Sequence, residues 1–270
     1  MLVLFAIFFL ILLPSSAAQT ASSSTHDSSQ SPIKRPHVDQ SIVVGAHLTP
    51  EEAEEGRIND IYQPIYQFQQ TGDCAGIVRT AQSAVIPAAE QAKFETVRKK
   101  FLFLSYRSIG DCNFKANEYA EAEQTYIKAV DYADKDDSSY AINFESIALC
   151  RMAQQHLESA EEPLRKAVSL LGDEITRLKT SDTYNADDIV ANDVRGSQDV
   201  ALLYLAVLCF REERSSEALS LLDQAYNQAI RFQARAQIIK RIVETGRAIA
   251  TAVGDDVANA IWTKRTPISN

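Results

Sequence analysis

The chain has 270 residues, of which 46% are hydrophobic and 23% are charged, an ordinary globular composition with enough length to bury a core. The formal net charge of −9 argues against a protein that binds the phosphate backbone of nucleic acid, which needs clustered Lys and Arg. Only nine glycines and eight prolines occur, and alternating β-branched runs are scarce. We therefore predict an all-α protein that does not bind nucleic acid.

The N-terminus has the pattern of an export signal. Residues 2–13 are unbroken apolar residues, followed by Pro14 and the small residues Ser15-Ser16-Ala17-Ala18. We predict a signal peptide over residues 1–18, cleaved after Ala18, and an exported protein that is periplasmic or secreted, with a bacterial envelope as the expected setting. No Lys or Arg precedes the apolar core, so an uncleaved anchor is the alternative. That core is shorter than the roughly 20 residues of a helical span, and we expect no stable membrane span after cleavage.

Residues 19–48 are predicted to form a disordered, Ser-rich tether. They contain Pro32 and Pro36 and few apolar side chains, so they cannot bury enough surface to order themselves. Three histidines lie in this segment, at a spacing that matches no metal-ligand pattern: His26, His37 and His47. We expect neither a metal nor a cofactor.

A spacing of small and large residues recurs in the body of the chain. From Gly110, steps of nine, three, four and three residues lead to Tyr119, Ala122, Tyr126 and Ala129. The last four share one helical face, which indicates close contact between helices. The same steps start again at Ala148 and Ala206, and a weaker copy starts at Ile65. A large residue stands four positions before each start: Tyr106, Phe144, Leu202 and Ile61.

This pattern resembles the tetratricopeptide repeat (TPR) family, whose second helix carries Ala-x3-Phe-x2-Ala. The resemblance implies an α-solenoid of stacked helical hairpins, a TPR-like right-handed superhelix, here of an exported bacterial type. We expect a repeat region over residues 49–231, with repeats at about 58–91, 103–136, 141–174 and 199–232. Thr49, Pro50 and Glu52 predict a capping box that opens the region, and Asn117 is predicted to cap a second helix.

The spacing between copies departs from the family's unit of about 34 residues. Equivalent positions, which are 45, 38 and 58 residues apart, are Ile77, Ala122, Ala160 and Ala218. The Pro that usually follows the second helix is missing, so these helices can run on. Gly172 is predicted to end one of them as a C-terminal cap. An insertion is predicted near residues 175–198, where the polar residues 180–188 form a loop that leads into a long helix.

Residues 232–264 are predicted to form C-terminal capping helices. An apolar stripe at helical spacing supports the first of them: Ile239, Ile242, Gly246, Ile249 and Val253. The open end of a solenoid core needs such a cover, although a partner-binding helix is the alternative. We expect Trp262 to serve packing, because it can bury a large area.

The four cysteines are Cys74, Cys112, Cys150 and Cys209. Export permits disulfides. Neighbouring helix axes lie about 8–10 Å apart, however, and a disulfide needs Cα atoms within about 7 Å. We predict buried thiols and leave a disulfide open.

The sequence contains no metalloprotease motif, no nucleophile-elbow motif and no glycine-rich phosphate-binding motif. His156 is the one histidine in the repeat region, and Glu158 follows it within a predicted turn. The acidic pairs at 136–137 and 187–188 lack the regular spacing of a calcium loop. We therefore predict no enzymatic activity.

The resemblance implies that first helices line a concave groove for partner segments. The positions implied to face it are Tyr62, Tyr66, Gln69, Arg107, Asp111, Phe114, Lys115, Glu145, Leu149, Met152, Leu203, Val207, Phe210 and Arg211. The core of this set is Tyr62, Tyr66, Arg107, Asp111, Phe114, Glu145, Leu149, Met152, Val207 and Phe210. The set does not reproduce the Lys/Asn cluster with which family members clamp a terminal carboxylate.

The predicted function is a non-catalytic protein–protein interaction scaffold whose groove binds a protein or peptide segment. One alternative is a carrier that encloses an apolar small molecule. The other is that the chain's own C-terminal helix or insertion covers the groove residues.

Overall fold

A computed structural model describes residues 48–135, 138–180, 189–232 and 234–265. The predicted signal peptide, the tether up to residue 47 with its three histidines, and the loop at 181–188 lie outside these ranges. All regular secondary structure within the ranges is helical, which confirms the all-α prediction. The chain divides into two compact units, whose described parts are residues 48–102, the N-terminal unit, and 103–265, the C-terminal unit.

The N-terminal unit begins with helix α1, Pro50–Thr71. The predicted capping box is confirmed: the Thr49 side chain accepts a hydrogen bond from the Glu52 N–H, and the Glu52 carboxylate accepts one from the Thr49 N–H at 2.7 Å. The buried face of α1 carries Ile58, Tyr62 and Ile65. This face packs against the second helix of the same hairpin.

That second helix is interrupted by a π-helical turn. It consists of α2, Cys74–Thr80, a π segment, Ala81–Val85, and α3, Ile86–Glu90. Pro87 follows the π segment and has no N–H to continue the α-helical ladder, which accounts for the local rearrangement. The Ile86 N–H instead bonds to the Ala81 carbonyl, five residues back. Ala81, Val85 and Ala89 stay fully buried through the irregularity.

Helix α4, Glu95–Lys115, starts in the N-terminal unit and ends in the C-terminal unit. The remaining helices of the C-terminal unit are α5, Tyr119–Tyr132; α6, Ser138–Ala153; α7, Leu157–Thr180; α8, Ile189–Arg211; α9, Ser215–Arg231; α10, Ala236–Ala252; and α11, Asp256–Lys264. Helices from α5 onward pack mainly against their neighbours in the chain. This succession of stacked hairpins is the predicted α-solenoid.

The described hairpins share one kind of turn, with a left-handed residue between the two helices. These residues have φ of 73°, 63°, 66°, 64° and 70°, in the order Gly72, Asn117, Gln155, Glu213 and Gly254. In each turn the following N–H reaches a carbonyl five residues back, as in Glu118 to Asn113 at 2.9 Å. The prediction that Asn117 caps α5 is wrong, because Asn117 adopts the left-handed conformation and Glu118 occupies the N-cap position.

Gly172 does not end α7, contrary to the prediction, since this helix continues to Thr180. The glycine has a packing role instead. A Cβ at this position would lie 2.9 Å from the Gln198 Nε2 on α8, so glycine permits the close approach of the two helices. The Gln198 amide donates to the Val168 carbonyl at 3.1 Å, which fixes this contact.

Small residues sit at the closest helix contacts, as the repeated pattern predicts. Ala122, Ala160 and Ala218 are all fully buried. At Gly110, an added Cβ would lie 2.7 Å from the Tyr126 ring of α5. Residues 201–209 of α8 are buried without interruption, so this helix lies at the centre of the core of the C-terminal unit.

Helices α10 and α11 form a hairpin of the same kind as those before it. The large, small, small and large positions of the repeat recur at Ile242, Gly246, Ala258 and Trp262, with the spacing of Tyr106, Gly110, Ala122 and Tyr126. Trp262 is 3% exposed and contacts Gly246, just as Tyr126 contacts Gly110. These terminal helices are therefore a further repeat in their internal packing.

All four cysteines are free thiols, and Cys112, Cys150 and Cys209 are buried. Burial is the main reason that the pKa of the Cys150 thiol rises to about 12 and that of Cys209 to about 11. Among the described residues, no helix is both long enough and apolar enough to cross a membrane.

Candidate functional site

The first helices of the C-terminal hairpins, α4, α6, α8 and α10, provide the surface that we call the first-helix face. Helix α8 contacts both α6 and α10. Each of the four helices contributes one polar residue to a cluster on this face, which we call the inner polar cluster: Arg107, Glu145, Tyr204 and Arg241. No two of these residues come from the same helix, so stacking of the hairpins is what assembles the cluster.

Glu145 is the acidic member of the cluster, and it is only 9% exposed. Burial disfavours its charged form and raises its pKa to about 8, while the positive charges of Arg107 and Arg241 pull it in the opposite direction. The net upward shift means that desolvation outweighs both arginines. At neutral pH the carboxyl is therefore mostly protonated, and the cluster carries a net positive charge.

Tyr204 and Arg241 form a direct pair on the same face. The Arg241 Nη2 donates to the Tyr204 hydroxyl at 3.4 Å, and its Cζ lies 5.7 Å from the centre of the Tyr204 ring. Burial raises the pKa of Tyr204, an effect that Glu145 reinforces and Arg241 opposes. Tyr204 is thus a neutral phenol that holds the guanidinium in place.

The predicted apolar groove residues on the helices of the inner polar cluster divide into buried and partly exposed members. Met152 and Val207 are 4% and 3% exposed and belong to the main core. Leu149 and Phe210 are partly buried against that same core. Phe114 is partly buried against a smaller core and stacks edge-on with Tyr119 at 5.3 Å. The predicted groove residues on this face are therefore largely packing residues with limited exposed area.

Two charged residues of the predicted groove are held by neighbouring side chains. Asp111 accepts a hydrogen bond from the Tyr126 hydroxyl at 2.7 Å, which connects the two helices of one hairpin. Burial and the Asp111 charge both raise the pKa of Tyr126, so its hydroxyl keeps the proton that it donates. Arg211 donates to the Gln155 side chain in the preceding turn. Both contacts fix the orientation of these charged side chains.

Tyr62 and Tyr66 belong to the N-terminal unit. Tyr62 is buried, and the centroid of its ring lies 4.9 Å from that of Tyr66 and 6.0 Å from that of Phe101. Tyr66 is 42% exposed. Of the other groove positions, Gln69 is partly buried in the N-terminal unit. Lys115 is exposed and Leu203 is buried in the C-terminal unit.

Sequence reasoning missed two members of the inner polar cluster, Tyr204 and Arg241. Tyr204 stands one position after Leu203, which was assigned to the face by repeat register. Arg241 lies in a hairpin that was assigned to capping helices. Alignment of Gly246 with Gly110 and Ala148 would have identified α10 as a first helix and directed attention to its polar residues.

Metal ligation would require a grouping of His, Cys, Asp or Glu side chains among the described residues. No three His, Cys, Asp or Glu side chains in these ranges come close enough to hold a metal ion. His156 is exposed in the turn between α6 and α7, and its backbone N–H donates to the Arg151 carbonyl at 2.8 Å. This turn contact uses the backbone and not the imidazole.

Comparison with known proteins places the fold. No family profile matches the chain, and no curated protein matches it in sequence. Among solved structures it is similar to a kinesin light chain-like protein of Podosopora anserina with nearly identical TPR-like repeats. That match has a TM-score of 0.53 at 14% identity and covers 78% of this chain and 93% of the other. A point variant of that protein gives a TM-score of 0.54 with the same identity and coverage. The chain therefore has the fold of a TPR-like repeat solenoid.

Proposed function

We propose that the protein is a non-catalytic interaction scaffold that binds a segment of a partner protein on the first-helix face of its C-terminal unit. The observation that carries this proposal is the inner polar cluster. Its two arginines, from hairpins far apart in sequence, both act on the Glu145 carboxyl. Arg241 also pairs with the Tyr204 phenol. Leu149 and Phe210, on the helices that carry Glu145 and Tyr204, are partly exposed. A face with both polar and apolar side chains suits a peptide that offers both kinds.

The TPR-like fold supports the class of function. Its stacked hairpins offer an extended surface to which a partner segment can bind. No observation favours the alternative of an apolar carrier, because the apolar groove residues of the C-terminal unit pack against its cores.

The test uses two substitutions that leave the core intact, R107Q and R241Q, introduced together. Both side chains are half-buried, and glutamine keeps most of their length while removing the charge. We expect proteins captured from an envelope extract by the wild-type chain to be lost from the double variant, with unchanged melting by circular dichroism. K240Q is the matched control, because Lys240 is exposed on the same helix and its nearest acidic partner is Glu244. Full capture by the double variant would overturn the proposal.

Phe114 and Phe210 are less suitable probes of this face. Both pack against apolar cores, so replacing them with serine would remove buried contacts as well as any partner contact. Loss of capture by such variants would then report on folding.

We further propose that the protein is exported, on the evidence of the apolar residues 2–13 and the small residues that follow. Cleavage after Ala18 would give a mature chain that begins at Gln19. Expression of the full chain in a bacterium, followed by fractionation and N-terminal sequencing, tests this. A chain that keeps Met1 in the cytoplasmic fraction would contradict export.

A further inference from the structure

The terminal helix α11 is firmly oriented by its buried side. Trp262 packs onto Gly246 of α10, and its ring centroid lies 6.0 Å from that of Tyr226 on α9. The guanidinium of Arg265 stands 4.1 Å from the Trp262 ring and pairs with Asp223. Contacts to two other helices therefore fix which face of α11 points to solvent.

The solvent face of α11 is apolar, whereas the face that a helix turns to solvent normally carries polar residues. Val257 is 73% exposed and Ile261 is 48% exposed, one helical turn apart on the same face. Val253, 41% exposed, precedes them at the end of α10. We call these three residues the apolar strip. They are half of the six exposed large hydrophobic side chains among the described residues.

Charged residues stand at the two ends of α11 and have opposite signs. Asp256 lies in the first turn of α11 and Lys264 in the last, and both are exposed, with the small residue Ala260 midway between them. An antiparallel copy of the helix, related by a two-fold axis near Ala260, would place each Asp256 beside the Lys264 of the other copy. It would also bring Val257 close to Ile261 of the other copy. A parallel arrangement would place like charges together.

Beyond the proposed scaffold function, we propose that α11 is a self-association surface and that its occupant is a second copy of this chain, packed antiparallel on α11. The charge pattern is complementary to itself, which a two-fold interface requires. A helix of nine residues is about 13 Å long, so the contact is smaller than the roughly 1,600 Å² of a standard interface. The dimer is therefore weak and reversible.

Sedimentation equilibrium of the full chain between about 1 and 200 μM tests the proposal, because a small interface of this kind dissociates on dilution. We expect the average mass to rise towards twice the monomer value with concentration. V257K should abolish this rise without changing Trp262 fluorescence or thermal melting, since the side chain is exposed. I127K is the matched control, because Ile127 is an exposed apolar residue on α5. A monomer throughout the range, or a dimer unaffected by V257K, would overturn the proposal.

Charge reversal tests the antiparallel geometry. D256K alone and K264D alone should each weaken the homodimer at least about tenfold, because like charges then face each other twice. An equimolar mixture of the two variants should form a heterodimer, since every facing pair is again opposite in sign. Failure of the mixture to associate, in conditions where the wild-type chain dimerises, would show that the two copies do not pack in this way.

Discussion

Substitution of Gly246 by alanine should destabilise the α10–α11 hairpin. An ideal Cβ at this position would lie 2.6 Å from the Trp262 Cε2 and Cε3 atoms, almost 1 Å closer than an ordinary carbon contact of about 3.5 Å. Trp262 is 3% exposed and stacked with Arg265, so its ring has little room to withdraw. Overpacking of this kind costs about 1–3 kcal/mol, and the better helix propensity of alanine returns about 0.5–1 kcal/mol.

The net destabilisation thus lies between about 0 and 2.5 kcal/mol, with a midpoint of about 1.3 kcal/mol. For a chain of this size the midpoint corresponds to a fall in Tm of roughly 3–5 °C. Trp262 is the only tryptophan, so its emission reports on this hairpin alone, while circular dichroism follows all helices. We expect the fluorescence transition of G246A to move to lower temperature, with a red-shifted emission of the folded state.

G196A provides the matched control. Gly196 also lies within a helix, but its added Cβ would meet nothing closer than the Ile238 Cδ1 at 3.6 Å. This variant should be stabilised by about 0.5–1 kcal/mol, because alanine loses less conformational entropy than glycine on folding. If G246A melted at or above the wild-type temperature, the close packing of Trp262 on Gly246 would be refuted.

Three further predictions concern the hairpin turns, buried acids and repeat seams. E213G should stabilise the protein by about 0.5–1 kcal/mol, since Glu213 holds a left-handed φ of 64°, whereas S216G in helix α9 should destabilise it in the same melting assay. Burial raises the pKa of Asp199 from 3.8 to about 8, so the folded state binds more protons across that window and the free energy of unfolding falls as pH rises through it. D199N should flatten this decline, as measured by urea unfolding at several pH values, and an unchanged slope would contradict the assignment. A122L should lower the free energy of unfolding by about 1–3 kcal/mol, because leucine would overcrowd the fully buried helix contact beside Tyr126. An unchanged melting temperature would mean that the repeat register is wrong.

The hairpin architecture could be predicted because small residues at fixed steps are required wherever two helices touch closely. Ala122, Ala160 and Ala218 are buried for that reason. The turns were harder to predict. Asn117, Gln155 and Glu213 are three different residue types, yet all adopt the left-handed conformation. The backbone hydrogen bonds of the turn require this conformation whatever the side chain. The prediction for Gly172 was wrong for a different reason. In the sequence alone, a glycine that lets two helices pack closely cannot be distinguished from a glycine that ends a helix.

The α10–α11 hairpin was not predicted to be a repeat, because only part of the repeat spacing is present in its sequence. Ile242, Gly246, Ala258 and Trp262 keep the spacing, but Asp255 and Arg265 stand where the other copies carry small or apolar residues. Only two of the four residues of the inner polar cluster were predicted, for the same reason. Arg107 and Glu145 follow the repeat register, whereas the position of Arg241 on the face depends on recognising α10 as a first helix.

The left-handed turns lie at residues 72, 117, 155, 213 and 254, and no two successive intervals are equal. The described hairpins therefore share a turn and a set of small packing positions but no fixed length, since the helices from α4 onward range from nine to 24 residues. The internal packing of each hairpin is conserved in kind while its extent along the helix axes varies, so hairpins of this chain are not exchangeable units of equal size.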